Sequence, residues 1–316
     1  MDLVYESGAV DMLGLITADW NKLIRWRTDA AALSIADFDR VRRSGVTTFH
    51  PAVHLPSKDP RGSTERWLRG WLQVASFHPE KFHVLRAAPD LSSVPLDGRI
   101  ELLLGAQNST HFSTVSDVPY FASIGQRVSQ LTYNGRNRIG YGCHAGQDRG
   151  LTGFGHDIIA EMNCSGMVVD ASHSGPRTAL DASTASVSPV IISHTNCRAL
   201  TPREPRCVSD DVIRKIAARG GVIGLTAIRK FVGRSSLDGL LDHFDHVVEL
   251  VGPEFVGIGS DADLEGRQPV IRELANADFM FAITEGLLRR GYGEAEVRAI
   301  LGGNFRRVLR AVLPST

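Results

Sequence analysis

Cysteine is scarce in this chain: four in 316 residues, at positions 143, 164, 197 and 207. None forms a Cys-x-x-Cys pair. Their spacings fit neither a zinc ribbon nor a disulfide framework, so they read as reduced thiols of a cytoplasmic protein. Net charge is lacking too, since 35 basic residues balance 35 acidic ones. That balance excludes the strong field that draws a protein to nucleic acid or an anionic membrane. The basic runs RVRRSG (40–45) and NFRRVLR (304–310) carry helical apolar spacing and read as solvated helix faces. No apolar run approaches the roughly 20 residues that span a bilayer. The start, MDLVYESGAVDML, lacks the basic and apolar regions of a secretory signal. There is no low-complexity segment and no clear internal repeat.

What is present is a rhythm. Short apolar runs alternate with longer segments of helical period, as in βαβ units around a parallel sheet. The runs predicted as strands cover 8–15, 46–50, 100–106, 127–132, 167–170, 190–193, 222–226 and 256–259. That is about the number with which a barrel closes. Helices are predicted over 35–44, 155–164, 177–185, 210–219 and 237–250, with Asp37, Ser209 and Asp238 near their N-termini. The segment 57–80 places Trp67 and Trp71 four apart, as on one buried helix face. The tail from Glu294 to Leu313 reads as one or two closing helices. The expected architecture is an α/β fold, a (β/α)₈ TIM barrel, with residues 1–316 as one domain. A doubly wound sheet has a similar rhythm, so the polar residues must decide between them.

Barrel active sites lie at the C-terminal ends of the strands. Behind the third predicted strand come Gln107 and Asn108; behind the fourth, Tyr133 and Asn134; behind the fifth, His173; then His194, and behind the last strand Asp261. Two imidazoles and a carboxylate at one rim suit a borderline-soft divalent ion such as Zn²⁺. Asp261 sits in GIGSDAD, where small residues would leave room for a ligand near the backbone. The other histidines are weaker candidates. His50 and His54 are four apart but beside a proline rather than on a helix. His243 and His246 follow a helical pattern and read as structural, and His144 is left open.

Several stretches taken in order, QLTYNGRNRIGYGC, DRGLTGFG, MVVDASHSG, PVIISHTNCRAL, PRCVSDDVIRKIAARGGVIGL and GIGSDADLEG, resemble the renal (membrane) dipeptidase family, as does the ending GGNFRRVL. The resemblance covers about two-thirds of the chain. It implies a barrel with a two-zinc site that hydrolyses dipeptides, and a homodimer. By resemblance, His173 and His194 hold one metal, Arg206 grips the substrate carboxylate, and Asp261 is the acid/base group.

The departures from that pattern are grouped. A first-strand His-x-Asp pair that would hold the other metal is replaced by Leu13 and Leu15. The bridging glutamate is Gln107, and a histidine near the substrate is Tyr133. The GLITADW start and the Gln107–Asn108 pair resemble a bacterial subgroup with the same changes. The leading expectation is a hydrolase of a dipeptide or small amino-acid-derived amide with one zinc ion, on His173 and His194 with Asp261 or Gln107 as further donors. Tyr133, Asn134, Gln107 and Arg206 would line the substrate. The alternatives are a metal-independent lyase, cyclase or isomerase of a specialised pathway, and a non-catalytic ligand-binding barrel.

Overall fold

A computed structural model describes residues 2–91 and 98–315. Its strands are short and mostly buried: β1 (Ala9–Asp11), β2 (Val46–Phe49), β3 (Phe82–Val84), β4 (Ile100–Leu102), β5 (Gly105–Ala106), β6 (Val128–Gln130), β7 (Val168–Asp170), β8 (Ile192–Thr195), β9 (Ile223–Leu225) and β10 (Val256–Ile258). All their pairings are parallel. Three ladders result, in the orders β1-β2-β4-β3, β5-β6-β7 and β10-β9-β8. β4 and β5 belong to one run of chain. At the other two seams, Ala171 N donates to Ile191 O and Met12 N donates to Ile258 O, each at 2.8 Å. These bonds carry β7 onto β8 and β10 onto β1. With β3 set aside as a side strand on β4, the circuit closes as a parallel barrel.

The predicted strands therefore exist, though most are shorter than their apolar runs. The first ends at Asp11, four residues before Leu15. β3 was not anticipated, nor were the helices Trp20–Thr28, Asp117–Ser123 and Phe279–Arg289. The five anticipated helices are found within two residues of their expected ends. Ser34 caps the first of them, and Asp37 is the acidic half of its capping box. Ser209 stands at the N-cap predicted for the fourth. Ser236 caps the helix in which Asp238 lies in the first turn. Trp67 and Trp71 are buried on one face of the helix Pro60–Phe77, edge to face at 6.0 Å.

Inside the barrel, Val10, Met12, Leu103, Val128, Val168, Ile191 and Val222 form one apolar cluster with Phe305, Val308 and Leu309. The last helix, Asn304–Val312, thus seals the end of the barrel where the strands begin. The tail closes the barrel as its periodicity suggested. Polar chemistry is left to the opposite rim.

Candidate active site

Three imidazoles reach that rim from strand ends. His50 follows β2, His194 lies in β8, and His173 lies just beyond β7. His173 and His194 face each other, Nε2 to Nε2, at 3.0 Å. Their other nitrogens are committed. His173 Nδ1 lies 2.7 Å from the Asn134 amide oxygen, which accepts its proton. His194 Nδ1 lies 2.8 Å from Ser193 Oγ, and that hydroxyl donates to Asp170 at 2.5 Å. The hydroxyl's one proton is thereby used, so His194 Nδ1 must be the donor to it. Both rings therefore carry their proton on Nδ1, and two bare Nε2 lone pairs converge. Burial, reinforced by the charge of Arg206, holds both pKa values well below the ordinary imidazole value. The pair stays neutral and available.

The rings continue outward as a stack. Tyr133 lies on His173 with centroids 4.2 Å apart, and His54 lies on Tyr133 at 4.1 Å. Neither His54 Nδ1 nor His50 Nε2 has a hydrogen-bond partner, although both atoms are buried. His50 donates from Nδ1 to Met12 O at 2.8 Å, which leaves its Nε2 a third bare nitrogen. His50 and His54 were set aside on spacing alone, yet both belong to this rim. His243 is structural, bonded on one side from Cys197 N and on the other to Val232 O.

Arg206 is buried beside the pair. Its Nη2 donates to His194 O at 2.5 Å, while its Nε has no partner. Asp261 stands across from it. Burial pushes the Asp261 carboxyl up to about 6, with the positive Arg206 acting in the opposite direction. Asn134, His173 and Asp261 also share a strained backbone, at φ 57°, 59° and 52°. A left-handed residue that is not glycine costs about 1 kcal/mol or more, and such residues gather at functional sites.

One expectation needs correction. The small residues of GIGSDAD leave no room for a ligand at Gly257 and Gly259. A side chain at Gly257 would meet Met12 Sδ at 2.5 Å, and one at Gly259 would meet Ser193 O at 1.7 Å, so protein fills the space. Asn134 gives its amide oxygen to His173. Gln107 is buried in a narrow crevice with His54, Thr64 and Trp67.

The chain and its fold have known counterparts. Residues 10–314 match the sequence profile of the membrane dipeptidase family, peptidase family M19. This chain is a member of that family. Among relatives, Dipeptidase 3 of Rattus norvegicus is 37% identical over 166 residues, 52% of this chain and 33% of that protein. Dipeptidase verJ of Clonostachys rogersoniana is 31% identical over 240 residues, 74% of this chain and 61% of that protein. The chain spans between 33% and 63% of the length of these and similar curated relatives. An amidohydrolase from Pseudomonas aeruginosa superposes with a TM-score of 0.84 at 26% identity, over 99% of this chain and 98% of that one. A dipeptidase of family M19 gives the same TM-score at 21% identity, over 98% and 99% of the two chains, and supports the fold. Among the described residues no helix is long and apolar enough to cross a membrane.

Whether the residues of this dipeptidase-family member fit a metal can be tested on the donors present. Among the described residues, no three His, Cys, Asp or Glu side chains converge as a metal site. Leu13 and Leu15 are buried apolar side chains. They offer no metal donor at these two positions. Two converging Nε2 lone pairs do fit one borderline-soft ion, because imidazole nitrogens at 2.0–2.1 Å from Zn²⁺ stand about 3 Å apart or slightly more.

The raised carboxyl predicts a pH dependence of stability. Asp261 takes up a proton on folding between about pH 4 and its folded value of about 6. Its contribution is fully present below pH 4 and is lost as pH rises through 6, on the order of 2–3 kcal/mol. Asp261→Asn, which tolerates the left-handed backbone, is expected to be more stable than wild type at pH 8 by about that amount and nearly equal at pH 4. Denaturant titrations at the two pH values check this.

Proposed function

We propose that this chain hydrolyses a dipeptide or similar small amide bearing a free carboxylate, using a reduced metal site on His173 and His194. One observation carries the reading: two neutral imidazoles with both Nδ1 protons committed aim bare lone pairs at each other beside a buried, partner-free Arg206 Nε and a raised Asp261. Buried lone pairs that close repel one another unless an electropositive group binds both, and one Zn²⁺ held by His173 and His194 would supply that. When bound, such an ion polarises a carbonyl and makes water acidic.

The chain's own groups do the rest. Arg206 Nε, with no protein acceptor, binds the substrate carboxylate through a charge-assisted bond. Asp261, ionised above about pH 6, takes the proton of the attacking water and returns it to the leaving amine. Tyr133, pinned between His54 and His173, presents its hydroxyl as a donor, since burial and the Asp261 charge raise its pKa and keep it protonated. Asn134 fixes the His173 ring from behind.

The second reading, a metal-independent lyase, cyclase or isomerase, draws on the same contact, because a 3.0 Å gap between two imidazole nitrogens also holds a shared proton. Metal analysis separates the two. Protein purified without added metal is expected to carry about one zinc per chain, lost in His173→Ala, and to cleave dipeptides until a strong chelator is added. Metal-free protein whose activity survives chelation would replace the hydrolase reading with the second one.

A further inference from the structure

The two halves of the rim are held by the same device, used twice. At one place Asp170, the last residue of β7, accepts three bonds: from Ser172 N at 2.9 Å, from Ser193 N at 3.0 Å and from the Ser193 hydroxyl at 2.5 Å. At the other, Asp11, the last residue of β1, accepts from Leu13 N at 3.3 Å, Ser260 N at 2.9 Å and the Ser260 hydroxyl at 2.6 Å. In each bracket a strand-end carboxyl group accepts from the amide two residues on and from both donors of a serine, Ser193 within β8 and Ser260 two residues beyond β10, with burial pushing the Asp11 carboxyl up to about 7. Each clasped serine directly precedes a rim residue: Ser193 comes before His194 and Ser260 before Asp261. All four bracket residues are fully buried.

Their location has a reason in the fold. The brackets cross the β7–β8 and β10–β1 seams, where the regular ladders stop. Among the described residues, isolated bridges, Asp170 with Ile191 and Leu15 with Asp263, stand there in place of a ladder. His194 and Asp261 stand beside these seams, His194 within β8 and Asp261 three residues beyond β10. A chain freed from the ladder must be fixed by something else. At β8 the fixing extends to a ring atom, since Ser193 Oγ accepts from His194 Nδ1 only while its own proton points at Asp170. At β10 the backbone is fixed: Asp261 N donates to Leu13 O at 2.9 Å while Leu13 N is tied to Asp11. Asp261 is thereby held in its left-handed conformation.

We infer that Asp11 and Asp170 are paired positioning residues, acting through Ser260 and Ser193 to orient Asp261 and to fix the tautomer of His194. Both carboxyl groups are buried and bonded to protein donors. The rival role is a plain seam staple, which would cost stability when removed but would not change the His194 proton or the chemistry. The kcat part of the test rests on the proposed hydrolase, whereas the tautomer part does not. Wild-type protein that cleaves no dipeptide would therefore sink the hydrolase, leaving the Asp170 half decided by the tautomer and the Asp11 half by the backbone chemical shifts of Asp261, which Ser260→Ala should move away from left-handed values and which, unchanged, would overturn it.

The test is long-range ¹H–¹⁵N NMR of the histidine rings in metal-free protein, with kcat and KM measured in parallel. Wild type is expected to show His194 as one neutral tautomer with its proton on Nδ1. Ser193→Ala should give averaged ring shifts and a kcat lower by about 10- to 100-fold, the usual effect of losing a group behind a catalytic ring. Ser260→Ala should lower kcat over the same range with KM little changed and the His194 tautomer intact. Threonine at either position keeps the hydroxyl and should restore the wild-type values. If Ser193→Ala does not fold, Ser193→Cys, close in volume but a weak acceptor, carries the same expectation. A single unchanged tautomer in Ser193→Ala overturns the Asp170 half. Unfolding at lower temperature with kcat unchanged in Ser260→Ala overturns the Asp11 half.

Discussion

Asp261→Asn is expected to lower kcat by on the order of 10²–10⁴-fold, with KM changed far less. This is the range contributed by a positioned general base, equivalent to about 3–5 kcal/mol of barrel-rim chemistry at 1.36 kcal/mol per decade. The substitution isolates the proton-handling role, because Asn keeps the volume and accepts the left-handed backbone at φ 52° that most residues would resist. The wild-type profile of kcat/KM should fall on the acid side with an apparent pKa of about 6, where Asp261 takes up its proton. In the variant that limb should vanish along with the rate. The same substitution is expected to stabilise the protein above pH 6. A residue whose removal costs activity and adds stability is one kept ionisable in a buried place for its chemistry. A variant that keeps its rate and its acid limb would move the base elsewhere, with Tyr133 and the histidine pair as the groups next to be tested.

The fold was legible because its two signals are local. Alternating apolar runs and helical periods survive in any α/β barrel, and they located the strands of the ring to within a few residues. Strand lengths were not legible. Apolar runs such as 8–15 continue past the ladder because the same residues pack inside the barrel after pairing stops, and hydrophobicity does not separate those two states. β3 was missed because FHV is three residues long, with two of them only half-buried.

The rim was partly legible by one rule: look for the polar residue that follows each strand. That rule found His173, His194 and Asp261 and would have found His50, which directly follows β2. His50 was set aside by a helical metal-spacing rule that does not apply at a strand end. His54 has no sequence signal, since its place is set by a ring stack on Tyr133, a residue 79 positions away in the chain. The Asp–Ser brackets are equally silent in sequence. Asp11 and Ser260 are 249 residues apart, and only barrel closure brings them together. Small residues misled for the same reason: Gly257 and Gly259 do mark close approach, but the approaching atoms belong to Met12 and Ser193.

Arg206→Met is expected to raise KM for a carboxylate-bearing substrate by on the order of 10²–10³-fold, while the folded state is as stable as wild type or more so. The two effects share a cause. Arg206 is buried, it gives one bond to His194 O, and its Nε finds no acceptor. Burying a cation that is not fully paired costs folding energy, and an apolar side chain of similar length removes that cost. The substrate carboxylate would complete the pairing, and truncating one member of a buried charged pair typically costs 2–5 kcal/mol of binding. Arg206→Lys should recover only part of the loss, since a point charge cannot present the planar fork. Two side effects distinguish this role from a general loss of shape. Arg206 holds the Asp261 pKa down, so the acid limb of kcat/KM should move above 6 in the variant. It also holds the His173 and His194 pKa values down, so both rings should bind protons more readily and titrate at higher pH. The discriminating measurement pairs a dipeptide with its C-terminal amide. Wild type should prefer the free carboxylate strongly, and Arg206→Met should treat the two nearly alike. If both substrates instead lose affinity equally, Arg206 supports the rim through His194 rather than gripping the substrate, and the carboxylate anchor must be sought at another rim donor, the Tyr133 hydroxyl first.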